Sequence, residues 1–125
     1  RRGIIMTANK KRTSALTRDA ILAADDLKAK RVETPEWAGH VFVRPMTAGE
    51  RDAFDLFITE HRGHAKIRAY IVALCAVDAD GKRLFTEGDV DVLDGKASAP
   101  MTRVFMAARK LNKLFVEDIE DAAKN

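Results

Sequence analysis

Residues 66–77 read KIRAYIVALCAV, and the fold turns on how that run is arranged. From Ala69 to Val77 every side chain is apolar or aromatic, so a helix here would have no polar face to give to water. Such a helix is stable only when neighbours cover it on several sides. The pattern therefore predicts a central buried helix over 69–77, and its need for cover leads us to expect homo-oligomers. Cys75 is the one cysteine of the sequence, which excludes an internal disulfide framework and fits a reducing compartment. In so apolar a run its thiol reads as buried and inert.

Toward the N-terminus, MTAGERDAFDLFITEH (46–61) places Thr47 three residues before Glu50, the spacing of a capping box. Beyond it Ala53, Phe54, Phe57 and Ile58 fall on one side, and Arg51, Asp52, Asp55 and Glu60 largely on the other, as in a surface helix over a core. Upstream, RVETP (31–35) and HVFVR (40–44) are β-favouring runs around EWAG, with Gly39 as the permissive turn position and Pro35 confined to a strand end or edge. They predict a small hairpin. TRDAILAADDLKAK (17–30) predicts a further helix, with Thr17 as N-cap, Asp19 in the first turn, Lys28 and Lys30 near its end, and Ile21, Ala24 and Leu27 as its apolar face.

Toward the C-terminus, VDADGKRLFTEGDVD (77–91) looks most like a site. A calcium loop counted from Asp78 would need glycine sixth and glutamate twelfth, with an oxygen ligand fifth. Here Gly81 comes fourth, Lys82 fifth and Asp89 twelfth, so the ligand set fails. The stretch reads as an Asp80-Gly81 turn from which Leu84 and Phe85 return to the core, followed by a short helix capped by Thr86. APMTRVFMAARKLNKL (99–114) spaces Met101, Val104, Phe105, Ala108 and Leu111 as a helix, and VEDIEDAAKN (116–125) predicts a last, acidic one. The fold class is mainly α (α+β): five or six helices with one small β-hairpin, in a single domain over residues 16–125.

The net charge of +3 suggests nucleic acid as a partner until the charges are located. Arg1, Arg2, Lys10, Lys11 and Arg12 precede residue 13, and the remaining 17 basic residues against 19 acidic ones leave −2 on the domain. Residues 1–15 are expected to be a disordered basic tail, partly vector-derived, since Met6 stands where a natural start could lie. The five residues before it are too short and charged for a signal peptide or anchor. A small nucleic-acid-binding regulator using this tail is the alternative function, and the domain charge opposes it. No apolar stretch approaches a membrane span, so no membrane partner is expected.

Catalytic machinery is not visible: there is no GxSxG, Walker loop or GxGxxG, and pairs such as Asp25/Asp26 and Glu117/Asp118 read as solvated. His61 and His64, three apart, lack the further ligands zinc requires. We expect no enzyme, no metal and no cofactor. Trp37, in the hairpin turn, is a candidate contact anchor, and Phe42, Phe54 and Phe57 complete the candidate partner-binding set. Arg103, Arg109, Lys110 and Lys113 read as a solvated face that could also meet Glu117, Asp118, Glu120 and Asp121 of the last helix, in the same or a neighbouring subunit.

The order of phrases carries more than any one of them. PEWAG before VFVR, MTAGERDAF, VDADGKRLFT and the closing LNKL with acidic residues after it together resemble the tail assembly chaperones of long-tailed, siphovirus-type bacteriophages, from about Leu16 to Asn125. Two positions depart from the pattern: Ala38 stands for the first glycine of the turn, and Phe115 for a serine capping the last helix. The resemblance implies a non-catalytic protein that coats the tape measure protein, keeps it soluble and brings tail tube subunits to it. It would act in the host bacterial cytoplasm and be absent from the mature virion. It also implies a second, frameshifted product, for which Ala123-Lys124-Asn125 permits the slippery spelling A AAA AAC.

Overall fold

The apolar run divides in two. Ile67–Cys75 is helical, and Ala76–Val77 leaves the helix as a strand without a single intervening residue. The computed structural model describes residues 14–61 and 66–114. Within them the order is α1 (Arg18–Ala23), β1 (Lys30–Thr34), β2 (Gly39–Val43), α2 (Ala48–His61), α3 (Ile67–Cys75), β3 (Ala76–Val77), α4 (Val90–Asp94) and α5 (Ser98–Leu111). Short 3-10 turns occupy Pro35–Trp37 and Glu87–Asp89. The fold is α+β: five helices around a small antiparallel sheet of order β1-β2-β3.

The central helix thus stops two residues short of the expected Val77. The physical reason is the edge of β2, whose backbone groups need partners once buried. Phe42 and Val43 pair with Val77 and Ala76, and the Arg44 amide donates to the Cys75 carbonyl at 3.0 Å. Ala76 accordingly turns to extended geometry, φ −75° and ψ 127°. All of α3 except Arg68 is buried, under side chains of this same chain from α2, α4 and α5. The apolar circumference therefore does not call for a second copy.

The hairpin forms as expected, with Lys30 opposite Val43 and Thr34 opposite Gly39. Its permissive position is Ala38, however, at φ 60°, while Gly39 already belongs to β2. A left-handed alanine costs about 1 kcal/mol relative to an unstrained one, which is why glycine suits this place. The turn is held from within by the Thr34 hydroxyl, which donates to the Gly39 carbonyl at 3.0 Å.

α1 is the larger departure. Thr17 caps it as predicted, accepting from the Ala20 amide at 3.1 Å, but the helix ends at Ala23, and Lys30 opens β1 instead of closing a helix. None of its residues is buried, and Ile21 and Leu27 remain 56% and 38% exposed. A helix well short of about 12–15 residues gains too little from its own hydrogen bonds to extend unless packing supports it.

α2 begins with the predicted box: the Glu50 amide donates to Thr47 Oγ1 at 3.1 Å, and the Thr47 amide to Glu50 Oε1 at 2.9 Å. Arg44 then grips the same carboxylate with Nη1–Oε1 at 2.8 Å and Nη2–Oε2 at 3.0 Å. Burial would raise the Glu50 pKa, but Arg44, the Thr47 amide and nearby Arg83 outweigh it and hold the group below its ordinary value. α5 closes on a Schellman motif. Lys113 is left-handed at φ 53°, and the Leu114 amide donates to the Arg109 carbonyl at 2.9 Å. That reversal drops Leu114 into the core.

Asn112 ties the two ends together. Its Oδ1 accepts from the Met46 amide at 2.8 Å, and its Nδ2 donates to the Ala108 carbonyl at 2.8 Å and approaches Cys75 Sγ at 3.6 Å. Cys75 is buried and free, and burial lifts its thiol pKa to about 12 against the smaller opposing effect of Asn112. The core beneath is Phe54, Ile58, Ile71, Leu74, Val104 and Leu114. Residues 1–13 of the expected basic tail, the whole of the expected last acidic helix and His64 lie outside the described residues, as does the side chain of His61.

Candidate functional site

The acid-rich stretch is a turn and a cap. Asp78 Oδ1 accepts from the amides of Asp80 at 2.8 Å and Lys82 at 3.0 Å, and Gly81 takes φ 85°. The returning chain pairs with β3 through Leu84 N to Ala76 O at 3.0 Å. Phe85 packs against the core, but Leu84, expected beside it, stays 49% exposed. The ladder contact fixes its backbone while its side chain points to water. At the far end Asp89 Oδ2 accepts from the Thr86 amide at 2.8 Å and completes a capping box. The carboxylates at both ends of the would-be calcium loop are thus engaged by backbone amides. Among the described residues no group of three His, Cys, Asp or Glu is placed to hold a metal.

Apolar surface offers more. Trp37 sits at the hairpin turn, 37% exposed, and the turn is anchored by Glu36, whose carboxylate receives Arg103 Nη1 and Nη2 at 2.8 and 2.9 Å. The hydrogen bonds from Arg103 hold the Glu36 carboxyl down to about 2. So Arg103, read from sequence as a solvated cation, is what ties the hairpin tip to α5. Trp37, Phe85, Val92 and Leu93 line a groove of about 250 Å3, with Asp89 and Lys96 at its margin. Val92 is 66% exposed.

The four aromatic residues singled out from sequence do not converge. Trp37 lines this groove, whereas Phe42 lies half-buried on β2 with His40 edge-on at 5.2 Å. Phe54 is 1% exposed and belongs to the core, stacked toward Tyr70. Phe57 stacks on Tyr70 at 4.1 Å and lines a second cleft of about 650 Å3 between α2 and α4. That cleft also takes Leu56, 58% exposed, and the carboxylates of Glu60, Glu87 and Asp91. Sequence reasoning passed over Val92 and Leu56. Each is an apolar residue on the polar side of its helix, and that mismatch was the available signal.

These features define a class: a small α+β domain whose sheet and buried helix leave an apolar groove beside Trp37 and a cleft of mixed apolar and charged lining beside Phe57. The fold is similar to that of the tail assembly chaperone of bacteriophage HK97, with a TM-score of 0.56 and 14% sequence identity over 74% of this chain and 94% of that one. At that identity the likeness is one of fold. No protein-family model and no curated protein matches the chain. Among the described residues no helix is long and apolar enough to cross a membrane.

Proposed function

We propose that this chain is a phage tail assembly chaperone, a non-enzymatic protein that binds the tape measure protein, keeps it soluble and helps recruit tail tube subunits. The observation that carries this is the fold likeness to the HK97 chaperone, which extends over 94% of that chain. The phrase order of the sequence leads to the same family independently. The exposed groove around Trp37 supplies a surface on which an amphipathic helix can bury its apolar face, with affinity from burial rather than charge. Phe42 and Phe57, both half-buried, stand as secondary contacts. Phe54, buried in the core, could contribute only by supporting Phe57.

Such a protein works in the host cytoplasm during assembly and is released before the virion is complete. We further propose self-association through outer helix faces, for which Leu16, Ile21 and Leu22 around α1, 69%, 56% and 67% exposed, provide unburied apolar area. Co-expression with the tape measure protein encoded alongside it should raise that protein's soluble fraction, and the rescue should survive moderate salt. A tape measure protein equally insoluble with and without the chain would overturn the assignment. Trp37→Ala should weaken the rescue while leaving the fold intact by circular dichroism.

A further inference from the structure

The second cleft differs from the Trp37 groove in charge. Its floor is the Phe57 and Tyr70 pair, stacked at 4.1 Å with planes 8° apart, and its wall is Leu56 on α2. Glu60 stands on that wall, and Glu87 and Asp91 stand opposite. Lys66 is the one cation among the described lining residues, and Asp91 already holds it, Nζ to Oδ1 at 2.7 Å. Glu60 and Glu87 have no cationic partner among the described residues. The Tyr70 phenol, raised chiefly by burial, is raised further by Glu87 and Glu60, so both carboxylates act on the same ring.

We propose that this cleft seats an amphipathic helix of a protein partner whose apolar stripe is bordered by lysines or arginines. An open trough fits a helix better than a small molecule, since its polar groups stand on the rim and do not converge on a point. On α2 the cleft runs from Ala53 to Glu60, a wall about 11 Å long, enough for about two turns of a second helix laid beside it. Burial of Leu56 and of the exposed part of Phe57 supplies affinity, while Glu60 and Glu87, which have no cationic partner among the described residues, select cationic borders and orient the helix. The Trp37 groove, bordered by one anion and one cation, Asp89 and Lys96, has no such excess of one charge. The proposal rests on the chaperone reading only in taking the partner to be helical.

The test uses the full chain and three labelled synthetic peptides in fluorescence anisotropy: a leucine-striped helix bordered by lysine, the same helix bordered by glutamate, and a scramble of the first. The lysine-bordered helix should bind at least about tenfold more tightly than either other peptide. The exposed double variant Glu60→Lys/Glu87→Lys should lose that preference, and Leu56→Asp should weaken the lysine-bordered peptide about tenfold. Both are checked for native circular dichroism, and either folded variant suffices. Equal binding of the two bordered helices, or of helix and scramble, overturns the proposal, as does indifference to the variants. Co-expression separates the two readings: if the wild-type chain rescues a tape measure protein and Glu60→Lys/Glu87→Lys rescues it equally, the cleft is not the seat and the chaperone reading stands. If wild type fails to rescue but the peptide selectivity holds, the chaperone reading falls and the cleft remains.

Discussion

α1 and α2 begin in the same way and end differently. In each a threonine hydroxyl accepts from the amide three residues on, at 3.1 Å in both, yet α1 stops after 6 residues with nothing buried and α2 runs for 14. The difference lies beyond the cap. Glu50 returns the bond to Thr47 and is gripped by Arg44, and Phe54 and Ile58 then anchor the following turns in the core. A cap decides where a helix starts, whereas packing decides how long it lasts.

The strongest way to break the comparison is at Glu50. Glu50→Ala leaves the Arg44 guanidinium, 7% exposed, without its carboxylate and should lower stability by about 3 kcal/mol in urea unfolding. A loss no larger than that of a surface substitution would mean the grip contributes little. Next in size is Asn112→Ala, which orphans the Met46 amide just ahead of α2 and should cost about 2 kcal/mol by the same assay.

Acid sharpens the contrast further. Glu50 and Glu36 both titrate below the ordinary glutamate value of 4.5, so their contributions are complete above that pH and are lost as pH falls through the folded values, about 2 for Glu36. The urea midpoint should therefore decline below pH 4.5, and Glu50→Gln should flatten that decline. The smallest effect is expected at the other cap. Thr17→Ala should change global stability by less than about 0.5 kcal/mol, because α1 buries no residue. A loss as great as that of Glu50→Ala would show that α1 is integral to the core.

Local chemistry was what the sequence made legible. The Thr47 box, the Thr86 cap, the Asp78–Gly81 turn and the hairpin are decided within a few residues and occur where their signals lie. What the signals could not carry was long-range. The end of α3 at Cys75 depends on the edge of β2, and the role of Arg103 depends on Glu36, 67 positions away. Likewise, aromatic type marked Phe54 and Phe57 alike, although three residues, less than one helical turn, separate the core position from the cleft floor. The grooves themselves required knowing which apolar side chains find no cover, as Val92 and Leu56 do not.

Because β3 continues α3 without a linker, the sheet and the central helix share one unbroken segment of main chain. The hairpin bearing Trp37 is bonded to Ala76 and Val77, and Cys75, the residue before them, already lies in the last turn of the buried helix. A load applied at the hairpin tip is therefore shared between that two-residue ladder and the Arg103–Glu36 tie to α5. Parting the ladder would free the Arg44 and Cys75 backbone groups as well, so the edge of the sheet and the last turn of the buried helix hold or fail together.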